Sequence, residues 1–379
     1  MNFELNKKQA LSLKLFKEFS LNEVKPLAQE VDELERFPVE TVEKMAKIGM
    51  LGIPVPENYG GSGGDNLTYI MAVEELSKHC ATTGVIVSAH TSLACAPLLA
   101  FGTEEQKEKY LLPLASGDKL GAFGLTEPNA GSDAAMQQTT AVREGDFYRI
   151  NGSKIFITNG GYADTFIVFA MTDKQKGTRG ISAFIVEKGM EGFSIGKTEH
   201  KLGIKGSSTT ELIFTDLMLP AENLLGQEGK GFGIAMKTLD GGRIGIAAQA
   251  LGIAQGALDE AIKYIKERKQ FGKPLSAFQN SQFQIADLQT KIDAARLLTY
   301  RAAVLKDEGK PYSTEAAMAK LYASDISMES TRISLQLLGG YGYTREYPLE
   351  RMFRDAKITE IYEGTSEVQK MVIAASLLK

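Results

Sequence analysis

Few side chains in this 379-residue chain are placed to do chemistry, and glycines surround most of them. The run Tyr362-Glu363-Gly364-Thr365-Ser366-Glu367 sets a carboxylate beside a residue whose backbone takes angles that others avoid. Glu363 has two readings: a charge suited to a helix N-terminus, or a movable general base. Thr365 or Ser366 would cap the following helix. Asp240 and Arg243 are three apart, so on a helix they share a face, as a surface ion pair or as a binding pair. Gly241, Gly242, Gly245 and Gly252 beside them each cost about 1 kcal/mol in a helix interior, which close approach of a ligand or a neighbouring helix would justify. In the segment 122–133, Thr126 and Ser132 punctuate a Gly- and Pro-containing loop that is either a connector or a cradle for a polar planar ligand. Phe156 and Thr158, two apart, face one side of a strand. They would wall a flat ring and bond its edge, or simply end an ordinary strand.

Other chemistries are poorly served. His79, His90 and His200 are the only histidines, and the spacing of His79, Cys80, His90 and Cys95 matches no zinc pattern, so no metal is expected. Catalysis then rests on carboxylates or a cofactor. There is no GxGxxG. Gly196-Lys197-Thr198 has Glu191 where a P-loop needs glycine. Gly60-Gly61-Ser62-Gly63-Gly64 spells a nucleophile elbow but sits in a Pro-rich loop. With 43 Lys+Arg against 47 Asp+Glu, the net charge of -4 gives no basic field for nucleic acid or a membrane surface. Two cysteines suggest a reducing compartment. Residues Met1 to Glu18 show no targeting signal, so a cytoplasmic protein is expected. No run nears about 18 consecutive apolar residues, so no membrane span is expected.

These residues need elements to position them. Leu11, Leu15, Phe16 and Phe19 recur at helical spacing, and helical composition continues from Leu67 to about Leu114, with a Pro/Gly loop over 51–64. From Gly121 to about Pro220 come short β-branched and aromatic runs, with Asn151-Gly152 read as a hairpin turn; this predicts an antiparallel sheet or barrel. From Gly231 the helical period returns: Phe232 to Lys269, then a helix opened by a Ser276/Gln279 capping box and running to about Lys306, then Ser313 to Leu338, then a last helix around Val368 to Ala375. Four helices in series imply an up-down bundle. The order is helical, β, helical, with boundaries near 120 and 230.

Taken in order and spacing, Leu125-Thr126-Glu127-Pro128 through Gly131-Ser132-Asp133, Phe156-Ile157-Thr158-Asn159, Gln336-Leu337-Leu338-Gly339-Gly340-Tyr341-Gly342-Tyr343, Arg354-Asp355-Ala356-Lys357 and Ile361-Tyr362-Glu363-Gly364-Thr365 resemble the acyl-CoA dehydrogenase family, along essentially the whole chain and closest to its bacterial short-chain (butyryl-CoA) branch. The resemblance implies an α+β, mainly α, fold: an N-terminal helical domain (1–120), a central antiparallel β-barrel domain (121–230) and a C-terminal four-helix bundle (231–379). It implies FAD, with Phe123, Leu125, Thr126, Ser132, Phe156 and Thr158 as flavin contacts and Thr365 and Glu367 flanking the cofactor. Arg268, Phe271, Gln279, Gln336 and Gly340 resemble residues that reach the FAD of a neighbouring subunit, which implies a homotetramer built as a dimer of dimers. Ser132, Asp240, Arg243, Tyr362 and Gly364 match acyl-CoA contacts.

The implied reaction is α,β-dehydrogenation of a short-chain acyl-CoA, butyryl-CoA to crotonyl-CoA or the reverse. Glu363 takes the α-proton, the β-hydride passes to flavin N5, and electrons leave to an electron-transferring flavoprotein. Some relatives carry the base at the positions of Gly241 or Gly242, so here Glu363 is the sole candidate. A flavin oxidase of the same fold is the alternative, marked by oxygen consumption without another acceptor. A non-enzymatic CoA- or partner-binding scaffold would be colourless.

Overall fold

The structure is a computed structural model and describes residues 4–378. The first three residues of the stretch read for a targeting signal, and Lys379, lie outside the described residues. The first long helix, α1 (Lys7–Phe19), starts where Asn6 and Gln9 form a reciprocal capping box that satisfies two otherwise orphaned N–H donors. It packs on α2 (Asn66–Ser77), capped by Asp65. The next, α3 (Ala81–Phe101), contains a π-helical stretch over Ala89–Cys95. By length and composition alone it is long and apolar enough to cross a membrane, and 78% of its most apolar 18 residues are buried inside the protein. Scattered Thr, Ser and His interrupt the apolar run, which hides it from a count of consecutive apolar residues, yet the stretch carries no Asp, Glu, Lys or Arg. The 51–64 loop holds two short 3-10 turns, Met50–Gly52 and Glu57–Tyr59.

Helices give way after Ser116 to β1 (Gly121–Gly124), β2 (Thr140–Glu144), β3 (Phe147–Thr158), β4 (Thr165–Met171), β5 (Ile181–Glu187), β6 (Phe193–Thr198), β7 (Thr209–Pro220) and β8 (Leu224–Leu225). They form one sheet in the order β6-β7-β3-β2-β4-β5-β8, with β1 added to β4. The expected antiparallel barrel needs correction. The sheet is mixed, because β1 runs parallel to β4 and β2 meets β4 through one parallel bridge, Thr140 to Met171. The strand path does not close among the described residues. The expected hairpin turn at Asn151-Gly152 is also corrected. The pair lies inside β3 at a bulge opposite β7, tied by Asn151 Nδ2 to Asp216 Oδ1 (2.9 Å) and by Asp216 N–H to Asn151 Oδ1 (2.8 Å). Gly145, at φ 62, makes the turn between β2 and β3 instead.

The C-terminal part is α4 (Gly231–Glu267), α5 (Gln279–Asp307), α6 (Ser313–Leu338), α7 (Leu349–Ile358) and α8 (Ser366–Leu377). Helices α4, α5 and α6 pack on one another, and α8 lies on α6. The expected Ser276/Gln279 capping box is absent. Ser276 sits in a 3-10 turn (Leu275–Ala277), and Phe278 precedes α5 without a side-chain cap. One apolar core joins α1 and α2 to α4, α5 and α6. Others fill the two faces of the sheet, on which β4 is buried at every position.

Candidate active site

The turn between α7 and α8 carries Glu363 at φ 51 and Gly364 at φ 92, two left-handed residues in succession. A non-glycine residue there costs roughly 1–2 kcal/mol, so its surroundings must hold it. Gln369 Nε2 donates to the carbonyls of Glu363 (3.1 Å) and Gly364 (2.8 Å). Lys320 Nζ, from α6, also donates to Gly364 O (2.8 Å). Lys320 and Gln369 are both fully buried. Thr365 caps α8 by accepting from Val368 N–H, so the capping role falls to Thr365 and not to Ser366.

The Glu363 carboxylate differs from its backbone. Its Oε2 is shielded from solvent and has no hydrogen-bond partner. Gly242 on α4 lies against it: a β-carbon at 242 would stand 2.0 Å from Oε2 and 2.9 Å from Leu93 Cδ2 on α3. The cost of that glycine is thus explained by the carboxylate. Gly245 and Gly252 are explained by helix contact, since added β-carbons would meet Ser88 Oγ at 2.4 Å and Glu74 O at 2.3 Å. Burial raises the Glu363 carboxyl to about 8, against the pull of Lys320 and Arg243. Tyr362 OH donates to Gln249 Oε1, and Gln249 Nε2 donates to Ala81 O (3.0 Å). Burial and the neighbouring Glu363 push the Tyr362 hydroxyl up.

Asp240 and Arg243 do pair, at 2.6 Å, and Ser313 Oγ donates to Asp240 Oδ1 at 2.9 Å. The pair is not a surface one. Arg243 is 6% exposed and its buried Nε is without a partner, which leaves a donor for a bound group. Burial raises the Asp240 carboxyl despite the arginine. A cavity of about 200 Å³ lies on another side of α4, with Tyr69, Thr238, Gly241, Lys306 and Tyr312 in its wall; Glu363 does not line it.

On the sheet, the two other segments are stitched together. Ile155 N–H donates to Thr126 O (2.9 Å). Fully buried Lys154 donates to Glu127 Oε1 (2.7 Å), Gln137 Oε1 (3.1 Å) and Leu125 O (3.3 Å). Thr126 is thereby held beside Phe156, which stands at φ 60 in a β3 bulge with 59% of its surface exposed. Ser132 is exposed, Thr158 half-buried, and Phe123 rests its ring 5.0 Å from that of Phe169. Leu125 packs into the core, so only its backbone can face a ligand. An exposed ring, free hydroxyls and open backbone on a rigid base fit a flat, polar-edged cofactor.

Matches to acyl-CoA dehydrogenase domain models cover nearly all of this: the N-terminal domain matches residues 6–118, the middle domain 122–217 and the C-terminal domain 229–378. The chain belongs to the acyl-CoA dehydrogenase family. It is accordingly an oxidoreductase that uses FAD. It is 64% identical, over all of both chains, to the short-chain specific acyl-CoA dehydrogenase of Clostridium acetobutylicum. The solved butyryl-CoA dehydrogenase of Megasphaera elsdenii superposes with a TM-score of 0.99 at 55% identity, covering all of both chains. A chain in the structure of the electron transferring flavoprotein of Acidaminococcus fermentans does so at 0.99 and 58%, again over all of both.

Within this family frame, Arg268, Phe271, Gln279, Gln336 and Gly340 are all exposed, and none hydrogen-bonds to the Glu363 turn. Phe271, at φ 52, is 93% exposed, and Arg268 lies 5.8 Å from the Tyr341 ring centroid. Glu367 is exposed on the first turn of α8. Sequence reasoning missed Lys320, Gln369, Gln249 and the Glu127–Lys154 pair. A lone lysine in the alanine-rich run Ala316-Ala317-Met318-Ala319-Lys320 was the one local signal available.

Proposed function

We propose that the chain catalyses FAD-dependent α,β-dehydrogenation of short-chain acyl-CoA thioesters, with Glu363 as the α-proton base and electrons leaving to an electron-transferring flavoprotein. The observation that carries this reading is the unpartnered, buried Oε2 of Glu363, raised to about 8 and set against a glycine that leaves it room. A carboxylate so placed is a stronger base than one in water and is free to move. FAD, when bound, supplies the hydride acceptor. Thr126, Ser132, Phe156 and Thr158 would hold its ring, with Phe123 and the Leu125 backbone beneath, and Thr365 and Glu367 at the α8 end. Asp240 and Arg243 would hold the CoA moiety through the free Arg243 donor, and Tyr362 and Gly364 would border the thioester.

In this reading the mixed sheet corresponds to the family's β-barrel domain, and α4, α5, α6 and α8 form its four-helix bundle. The exposed set Arg268, Phe271, Gln279, Gln336 and Gly340 completes a neighbour's FAD site in a homotetramer. The names of the relatives support the short-chain choice and the flavoprotein partner. A chain-length series of acyl-CoAs, scored by bleaching of the yellow flavin, tests it. The optimum is expected at about four carbons, since pocket size discriminates each methylene by about 1–3 kcal/mol. A maximum at about eight or longer overturns the short-chain assignment.

A further inference from the structure

Lys320 sits inside α6, nearer its N-terminal end, with none of its surface exposed. Burying an ammonium costs several kcal/mol unless it is paired and hydrogen-bonded. Its three donors meet one acceptor, the Gly364 carbonyl at 2.8 Å. It makes no ion pair among the described residues; of the other buried cations, Lys154 has Glu127 at 2.7 Å and Arg243 has Asp240 at 2.6 Å, and only Arg351 likewise bonds to a carbonyl alone. A neutral carbonyl alone does not explain a buried charge. The carboxylate next to that carbonyl does.

We infer that Lys320 is a positioning residue for proton abstraction: its ammonium pins the Glu363–Gly364 turn from below and supplies the counter-charge against which the Glu363 carboxylate ionises. The inference rests on the dehydrogenase reading above. The charged and titratable groups facing Glu363 are Lys320 from α6, Arg243 from α4, Tyr69 from α2 and the adjoining Tyr362. Arg243 is already engaged by Asp240, so Lys320 is the cation with charge to spare. Lys320 in turn faces Glu363, Arg243, Glu360 and Asp325. Burial pushes the two groups toward each other, the lysine down to about 8 and the glutamate up to about 8. Geometry and charge are separable here, because Gln369 also holds both carbonyls of the turn. Without the lysine the turn keeps two of its three clamps but loses its counter-charge.

The test is the pH profile of flavin bleaching by butyryl-CoA, on FAD-loaded protein, from about pH 6 to about pH 10. In Lys320→Met the acid limb is expected to move up by about 1 unit or more, as for loss of a close opposite charge. The rate near pH 7 then falls about tenfold and recovers as pH rises. Lys320→Arg, which keeps the charge, is expected to hold the limb in place. A Lys320→Met protein that bleaches with an unmoved limb overturns the inference. Should Lys320→Met fail to fold, Lys320→Arg decides: an unmoved limb supports the counter-charge role, and a shift as large as that expected of the methionine variant overturns it. If the wild type itself is not bleached by any acyl-CoA, the dehydrogenase reading fails and this inference goes with it.

Discussion

Two glutamates in this chain, buried Glu127 and partly buried Glu363, each have a buried lysine nearby, and they are treated in opposite ways. Glu127, at the edge of the sheet, accepts from Lys154 Nζ at 2.7 Å and from the N–H groups of Gln138 and Thr139 at 2.6 and 3.1 Å. Burial pushes its carboxyl up, but Lys154 and those donors win and hold it below the usual range. Glu363, between α7 and α8, has a lysine that bonds to the neighbouring carbonyl and not to its carboxylate. Its Oε2 is left without a partner, and burial raises it to about 8. The same two residue types thus yield a fixed strut in one place and a reactive group in the other. What differs is the count of hydrogen bonds to the charged form, the factor that most directly separates a stabilised carboxylate from a basic one.

The sharpest way to break this contrast is Glu363→Gln. It removes the base while keeping shape, so the bleaching rate with butyryl-CoA should fall about 10²–10⁴-fold in stopped flow while the flavin stays yellow. Bleaching by this variant at the wild-type rate would take the role away from Glu363. In the wild type the base must be ionised, so the rate should climb as pH rises toward about 8 and level off above it. The counterpart at the strut is Lys154→Met. It leaves Glu127 buried and unpaired, so chemical denaturation should show a loss of about 3–5 kcal/mol. Glu127→Gln/Lys154→Met together should recover part of that loss. A double variant no better than the single would mean that Lys154 acts through packing and not through its charge.

How much of this was legible in sequence divides along the same line. Glu363 could be read because it sits in a contiguous motif beside Gly364, and Asp240–Arg243 because helical spacing places them on one face. The long helices α4, α5 and α6 were legible from periodicity and from their Gly/Pro stops. Glu127 and Lys154 are 27 residues apart, on a loop and a strand, and no local rule joins them. Lys320 is 43 residues from Glu363, and a lysine in a helix ordinarily reads as solvated. Asn151-Gly152 misled because the same pair serves a tight turn or a bulge, and only the register against β7 decides between them. Helix α7 went unread because it is short, ten residues with only half of them apolar, and lies inside a segment read as a contiguous motif.

A smaller loss of activity comes from crowding the base without removing it. Gly242→Ala puts a β-carbon 2.0 Å from Glu363 Oε2, so the carboxylate must swing aside. A displacement on the order of 1 Å costs about 10²-fold in rate. The variant should keep its flavin and its fold, because the groups to be displaced, Glu363 Oε2 and Leu93 Cδ2, are side-chain atoms. Near-wild-type bleaching would show that the resting position of Oε2 is not the one used in the reaction.

The smallest effect is also the one that sets the two glutamates directly against each other, because their linkage to stability has opposite sign. Glu363 is raised from the ordinary 4.5 to about 8, so the folded state holds its proton more tightly than the unfolded chain does. Its contribution is fully present below about 4.5 and is lost as pH rises through about 8. Glu127 is lowered, so its contribution is present above the ordinary 4.5 and is lost as pH falls through its depressed value. Glu363→Gln should therefore gain stability on the wild type as pH rises from about 5 to about 9, by on the order of 1–3 kcal/mol once solvent screening of the partly exposed side chain is allowed for. Glu127→Gln should be destabilised at neutral pH, with the deficit shrinking under acid. Denaturant titrations at several pH values read both slopes. Parallel slopes in the two variants would mean that both carboxylates are equally satisfied, and the distinction between strut and base would then have no electrostatic origin.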